Sequence, residues 1–217
     1  AIGILIALMG VKQNGVGQYV DTSMLDGAVS WLPVLANDYF VKGVSPKAAE
    51  NILNGQNACY EVYETADGRY ISIGAIEPHL WANFCDAIGK EEFKLWQRDL
   101  TKQDEMFACL REMFKSKTQA EWIEKLTGVD CCWAPVKNLE EVFADPQVLA
   151  RDMVYEMTDP AGCYGSVKMI GSAVKLSETP ARQELFPPRK GEHNAEYLKA
   201  VGYSDEQIAE FEKNGII

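Results

Sequence analysis

Proton transfer, metal binding and nucleophilic attack each need particular side chains in particular company, and this sequence offers few of them. One carboxylate stands out. Glu77 ends the apolar run Tyr70-Ile71-Ser72-Ile73-Gly74-Ala75-Ile76 and immediately precedes Pro78. A strand end holds its last side chain on a rigid element, which is what a catalytic group requires. A carboxylate so placed can orient a histidine or relay a proton. The competing reading is a solvated acid beside a helix N-terminus, where negative charge is favourable on its own. Residue chemistry alone favours that plainer reading.

The remaining reactive groups exclude more than they suggest. His79 and His193 are far apart, in neither H-x-x-x-H nor H-E-x-x-H spacing, so nothing predicts a metal centre. The cysteines are Cys59, Cys85, Cys109, Cys131, Cys132 and Cys163, without a C-x-x-C pair. Adjacent cysteines such as Cys131 and Cys132 bridge only with strain. Most sit in apolar runs and read as reduced thiols of a cytoplasmic protein. Cys131 and Cys132 fall in an expected buried strand with no base nearby in sequence, which argues against a catalytic thiol. No G-x-S-x-G occurs. Gly15-Val16-Gly17 lacks a third glycine and follows a helical pattern instead of a strand, so the dinucleotide fingerprint fails.

The 217 residues are 47% hydrophobic and carry a formal net charge of -11. That apolar content suffices for a sizeable core in one or two domains. An acidic chain without clustered Lys and Arg is unsuited to nucleic acid or anionic membrane. A locally basic pocket can still hold a CoA-type ligand. The opening run AIGILIALMG is shorter than the ~20 residues that span a bilayer, and it lacks the basic flank of a signal peptide. It reads as a buried helix without its beginning, and the chain as the C-terminal piece of a larger soluble enzyme.

The elements that must position Glu77 follow from periodicity. Residues 1–12 read as helix, 14–18 as a turn, and Ser23 to Val41 as helix with a possible kink at Pro33. Residues 42–58 read as a linker. Cys59–Glu64 and Arg69–Ala75 form a hairpin across the turn Thr65-Ala66-Asp67-Gly68. Pro78 suits the first turn of a helix that stops at Gly89. Helices follow at 103–116 and from Thr118 to Leu126, the latter with Thr118 and Glu121 in capping-box positions. Cys131–Val136 reads as a short buried strand, and 139–144 and 146–153 as short helices. Residues 154–176 are strand-like, 177–192 a proline-rich connector, and two short helices close the chain, the second capped by Ser204 with Gln207.

Several segments in this order resemble one family. They are G-V-G-Q-Y-V-D-T-S-M-L-D-G at 15–27, Y-E-T-A-D-G-R-Y-I-S-I-G-A-I-E-P at 63–78, P-V-K-N-L-E-E-V-F-A-D-P-Q at 135–147 and G-E-H-N-A-E-Y-L at 191–198. Together they resemble the class III CoA-transferase superfamily (CaiB/BaiF type), and G-A-I-E-P looks like its α-methylacyl-CoA racemase branch. Transferases of the family often carry a mobile glycine-rich loop in the small domain, and no run of glycines stands near Glu77.

The resemblance implies an α/β fold: an α+β small domain plus end pieces of a Rossmann-like large domain, in an interlocked homodimer. It divides this chain into large-domain helices (1–41), linker (42–58), small domain (59–145), and return linker with helical tail (146–217). The implied chemistry is 1,1-proton transfer at the α-carbon of an acyl-CoA thioester through an enolate, with coenzyme A as part of the substrate and no covalent cofactor. The family's catalytic His and Asp precede Ala1. Glu77 matches the small-domain glutamate that orients that His, serving the partner subunit's site, and the piece alone is expected to be inactive. Tyr60 and Ile76 match acyl-pocket positions, with core packing as the equal alternative. Neither Asp21 nor Asp26 is a nucleophile; both read as turn or cap residues. Two alternatives stay open: a CoA-transferase between carboxylic acids through an aspartyl-CoA intermediate, and a non-catalytic interaction module.

Overall fold

The computed structural model describes residues 1–160, 162–181 and 185–217, and divides into two compact units, 1–136 and 137–217. In the first, helices α1 (Ile2–Asn14), α2 (Met24–Ser30) and α3 (Pro33–Lys42) precede a hairpin of β1 (Tyr60–Glu64) and β2 (Tyr70–Gly74). Helices α4 (Pro78–Ile88), α5 (Phe93–Trp96), a 3-10 turn Leu100–Lys102, α6 (Gln103–Phe114) and α7 (Gln119–Leu126) follow, and then β3 (Trp133–Pro135). The second unit holds α8 (Leu139–Ala144), α9 (Pro146–Ala150), the antiparallel pair β4 (Val154–Thr158) and β5 (Ser166–Ile170), α10 (Asn194–Ala200) and α11 (Asp205–Lys213).

The core belongs to the segment around the first sheet. Its three strands run antiparallel in the order β1-β2-β3, with Tyr60 opposite Gly74, Val62 opposite Ser72, and Ser72 opposite Ala134. Alternation sends Tyr63, Ile71 and Ile73 inward, and Cys131, just before β3, is buried beside them. There they meet apolar faces at helical spacing: Trp81, Phe84, Cys85 and Ile88 of α4, Met106, Leu110 and Phe114 of α6, and Trp122 and Leu126 of α7. Phe114 is the hub. Its ring stacks 4.8 Å from Tyr63, lies 6.3 Å from Phe84 and meets Trp122 at 4.5 Å. The polar ends of the buried aromatics find carbonyls: Trp81 Nε1 donates to Phe93 O, Trp122 Nε1 to Phe114 O, and the Tyr63 hydroxyl to Ala58 O.

Local signals explain most boundaries. Gly89 ends α4 in a left-handed conformation (φ 71°) that costs glycine nothing. Thr118 and Glu121 complete a reciprocal capping box on α7, and Ser204 and Gln207 do so on α11. Asp67, in the hairpin turn, accepts from Gln119 N and the Thr65 hydroxyl. These bonds to the charged form hold its carboxyl below the usual carboxylate range.

Four expectations need correction. The helix at 1–12 is not buried: α1 has no buried residue, and Ile2 is 75% exposed, because nothing among the described residues covers it. Pro33 does not kink one helix; it opens a second at the N1 position, where its missing N–H is no loss. Ser23, not Asp26, caps α2, its hydroxyl accepting from Asp26 N. Residues 131–136 are not a buried strand. Cys131 points inward, but Cys132 is exposed with φ 54°, and the strand proper starts at Trp133. Helix α5 and the 3-10 turn carry no strong periodic signal of their own. Part of the proline-rich connector, residues 182–184, lies outside the described residues.

Phe114→Ala should remove the hub that three aromatic rings share, and cost about 3–5 kcal/mol of stability, as large buried aromatics do. Urea unfolding followed by tryptophan fluorescence checks this; a loss below about 1 kcal/mol would show that the stack is not the centre of the core.

Candidate functional site

The hairpin brings the sequence-selected residues to one end of the sheet. Tyr60 begins β1 opposite Gly74, and Ala75 N donates to Cys59 O at 2.9 Å, so Ile76 and Glu77 leave β2 beside the start of β1. Glu77 is exposed, with extended backbone (φ -71°, ψ 135°). It occupies the N-cap position of α4, but its side chain makes no capping hydrogen bond; its carbonyl accepts the helix's first bond from Trp81 N at 3.1 Å. Ile76 is half-buried.

Three buried carboxamides fix that end of the sheet. Gln97 Nε2 donates to Ala75 O at 3.0 Å and to Ile76 O at 2.9 Å. Arg98, from the exposed side, adds a second donor to Ile76 O at 3.1 Å. The Gln97 carbonyl accepts from Asn57 Nδ2 at 3.1 Å, while Gln103 Oε1 accepts from Ala58 N at 2.9 Å. Gln103 Nε2 spends its protons on the carbonyls of Trp96, Gln97 and Asp99. Among the described residues, no buried side-chain nitrogen or oxygen lacks a partner, as a polar network inside an apolar core requires.

The helices cover one face of the sheet and leave the other open. On the open face a cavity of about 560 Å³ is lined by Leu53, Tyr60, Val62, Ser72, Gly74 and Cys132, among others. Most of its floor is small. A Cβ added at Gly74 would touch Cys132 Sγ at 3.5 Å and the Tyr60 ring at 3.8 Å, so the tyrosine and the thiol flank the glycine. Tyr60 therefore lines a cavity of ligand dimensions, whereas Ile76 and Glu77 lie beyond its lining. His79, two residues after Glu77, is exposed in the first turn of α4; His193 caps α10 in the other unit. Among the described residues no cluster of His, Cys, Asp and Glu could hold a metal ion.

Sequence reasoning missed Gln97, Arg98, Asn57 and Gln103, which belong to no motif. The open-face partners of Tyr60 were within reach: alternation along the two strands puts Val62, Ser72 and Gly74 on the tyrosine's side.

The sequence pattern of CoA-transferase family III matches residues 1–194. An acyl-CoA transferase of Fusarium pseudograminearum is 33% identical over 99% of this chain and 48% of its own length. The α-methylacyl-CoA racemase of Mus musculus is 31% identical over 100% of this chain and 56% of its own. A CAIB/BAIF family protein from Brucella suis shares the fold, with a TM-score of 0.69 at 24% identity over 92% of this chain and 52% of that one. The chain spans about half the length of the relatives it matches. No described helix is long and apolar enough to cross a membrane.

The thiols beside this site predict a pH response. Cys59, Cys85, Cys109, Cys131 and Cys132 are thiols outside any disulfide. Burial pushes Cys85 up from 9.0 to about 12, and Cys131 up to about 11. Burial raises Cys59 too, partly opposed by Arg98 and by a hydrogen bond from Gln97. Above their ordinary value the unfolded chain loses these protons first, so it binds fewer protons than the native state. Stability should therefore fall as pH rises from about 9 towards 11–12, and Cys85→Ala should flatten that decline. Urea midpoints across this range check it; a pH-independent midpoint would place these thiols in water. At about pH 8, maleimide should label exposed Cys132 and Cys163 before buried Cys59, Cys85 and Cys131.

Proposed function

Because the chain belongs to CoA-transferase family III, we propose that it contributes the small domain of an acyl-CoA enzyme of the α-methylacyl-CoA racemase type. The observation that carries this reading is the likeness to a named racemase along the whole chain, 31% identical over 100% of its residues. The arrangement around Glu77 agrees with it. A carboxylate at a clamped strand end, exposed and unused as a cap, is free to act on a group from elsewhere.

In the proposed reaction one base takes the proton from the carbon next to the thioester carbonyl. The C–H electron pair moves into an enolate, whose oxygen needs hydrogen-bond donors. A second group returns a proton to the opposite face. Proton count and charge balance, and no cofactor takes part. The bases are a His and an Asp of the large domain, and Glu77 orients and tunes the His across the interface of an interlocked homodimer. Tyr60 and Ile76 line the acyl pocket; for Tyr60 the cavity on the open sheet face supports this. Cysteines held as buried thiols, such as Cys59, Cys85 and Cys131, fit a reducing compartment, so the proposal places the enzyme in the cytoplasm.

A second reading is favoured by the 33% identity to a named acyl-CoA transferase. There an Asp carboxylate would attack the thioester and expel CoA thiolate, giving a mixed anhydride; the thiolate would then attack the aspartyl carbon, releasing the first acid and leaving an aspartyl-CoA thioester that a second acid takes up by the reverse steps.

The two readings separate in full-length protein. Deuterium from solvent should enter the α-carbon of a 2-methylacyl-CoA without any acceptor acid. Strict dependence of turnover on a second carboxylate would instead establish the transferase. Glu77→Gln should lower kcat by about tenfold or more while leaving affinity for free CoA nearly unchanged. An unaltered kcat would remove Glu77 from the mechanism.

A further inference from the structure

The backbone entering Glu77 is held more firmly than a strand-to-helix turn requires. Glu77 hangs between two fixed points. Its own carbonyl is committed to Trp81 N in the first turn of α4, and Pro78 restricts the chain immediately after it. On the other side, the Ile76 carbonyl lies in the same rigid peptide plane as the Glu77 nitrogen. That carbonyl takes two donors, Gln97 Nε2 at 2.9 Å and Arg98 Nη2 at 3.1 Å. Gln97 also holds the preceding carbonyl, Ala75 O, at 3.0 Å. Three side-chain bonds on two successive carbonyls fix the plane, and hence the axis about which the Glu77 side chain is carried.

The two donors differ in what they cost to provide. Gln97 is buried, with its own carbonyl held by Asn57, and it satisfies groups that water reaches poorly. Arg98 is exposed. Water could satisfy the Ile76 carbonyl from that side equally well, so the guanidinium adds direction where satisfaction alone needs nothing. Both donors converge on the peptide before Glu77, a carboxylate whose side chain leaves its capping role unfilled.

We propose that Gln97 and Arg98 are positioning residues: they clamp the Ala75 and Ile76 carbonyls and so aim the Glu77 carboxylate at its catalytic partner. This rests on the reading of Glu77 given above. Neither touches substrate in this scheme; each acts through the backbone of its neighbour. A carboxylate that must meet a base on another element loses effect with small misplacement, since errors of about 1 Å can cost two orders of magnitude in rate.

The test is a double-mutant cycle in full-length protein, reading whichever of α-proton exchange or CoA transfer the wild type catalyses. Arg98→Ala should lower kcat by about three- to tenfold with KM for the thioester within about twofold, and Arg98→Lys should recover part of the loss. Placed in a Glu77→Gln background, Arg98→Ala should cause no further loss, because the group it positions is gone. An equal fold-loss in both backgrounds would overturn the proposal, as would unchanged kcat in both Arg98→Ala and Gln97→Met. Glu77→Gln alone reports on the parent reading: full turnover in that single variant ends both. Arg98, being exposed, should melt as wild type does when replaced, so its kinetic effect is read without a folding defect even where Gln97→Met is destabilised.

Discussion

The carboxamide of Gln97 is the interaction on which the rest of this fold depends. Gln97 joins pieces of chain that are distant in sequence: its carboxamide donates to Ala75 and Ile76 at the end of β2, and its main-chain carbonyl accepts from Asn57, before β1, and from Gln103, at the start of α6. A primary amide offers two donors and an acceptor in one plane, and its main-chain groups add more. An apolar side chain of the same volume would fill the space but take this donor from Ala75 O and leave Ile76 O to Arg98 alone, and a buried carbonyl left unpaired costs about 1–3 kcal/mol. The network sets register where β1 and β2 have run out of ladder hydrogen bonds. The hairpin's far end is secured differently, by the Asp67 turn and by Gln119, whose Nε2 bonds Tyr70 O and Val136 O.

With both ends of the sheet pinned, one face can be covered and the other left bare. The covered face carries large residues, and the open face carries Ser72, Gly74 and Ala134 beside Tyr60 and Val62. Small side chains there buy depth at the expense of strand propensity. The sheet tolerates this because its stability comes from the aromatic stack beneath it. The helices α1–α3 contrast with this unit: they carry many exposed large apolar residues and bury none. Exposed apolar area of that kind marks a surface made to be covered.

Much of the small unit was legible in the sequence because its signals are local. The hairpin was set by alternation and a Thr-Ala-Asp-Gly turn, α4 by Pro78 and Gly89, α7 and α11 by their capping boxes. The apolar run at the start was read correctly as helix but wrongly as buried, because periodicity reports an apolar surface and not what covers it. Cys132 was misplaced for a related reason: an apolar pair of cysteines looks like core, yet a left-handed residue turns the second outward. Gln97, Asn57 and Gln103 were illegible. Their long-range partners lie 21 to 45 residues away, and no spacing rule links a carboxamide to a backbone group at that distance. Glu77 was picked out by its place at a strand end and by family resemblance, while the clamp behind it left no trace.

That clamp also bears on which reaction the site suits. Moving CoA between acids means admitting a second carboxylate and shielding an anhydride between steps, which calls for a loop that opens and closes. Here the passage from β2 to α4 has a single glycine, two carbonyls held by three side-chain bonds, and a proline at the helix's first position. None of these elements is a hinge. Exchanging a proton across one carbon asks the opposite of a site: both bases must stay fixed while the enolate lives, because a base that drifts returns the proton to neither face efficiently. A carboxylate on so rigid a mount is suited to tuning a stationary base. Under the proposed function, the clamped backbone of this turn, more than any one side chain, is the physical argument for proton transfer over CoA transfer.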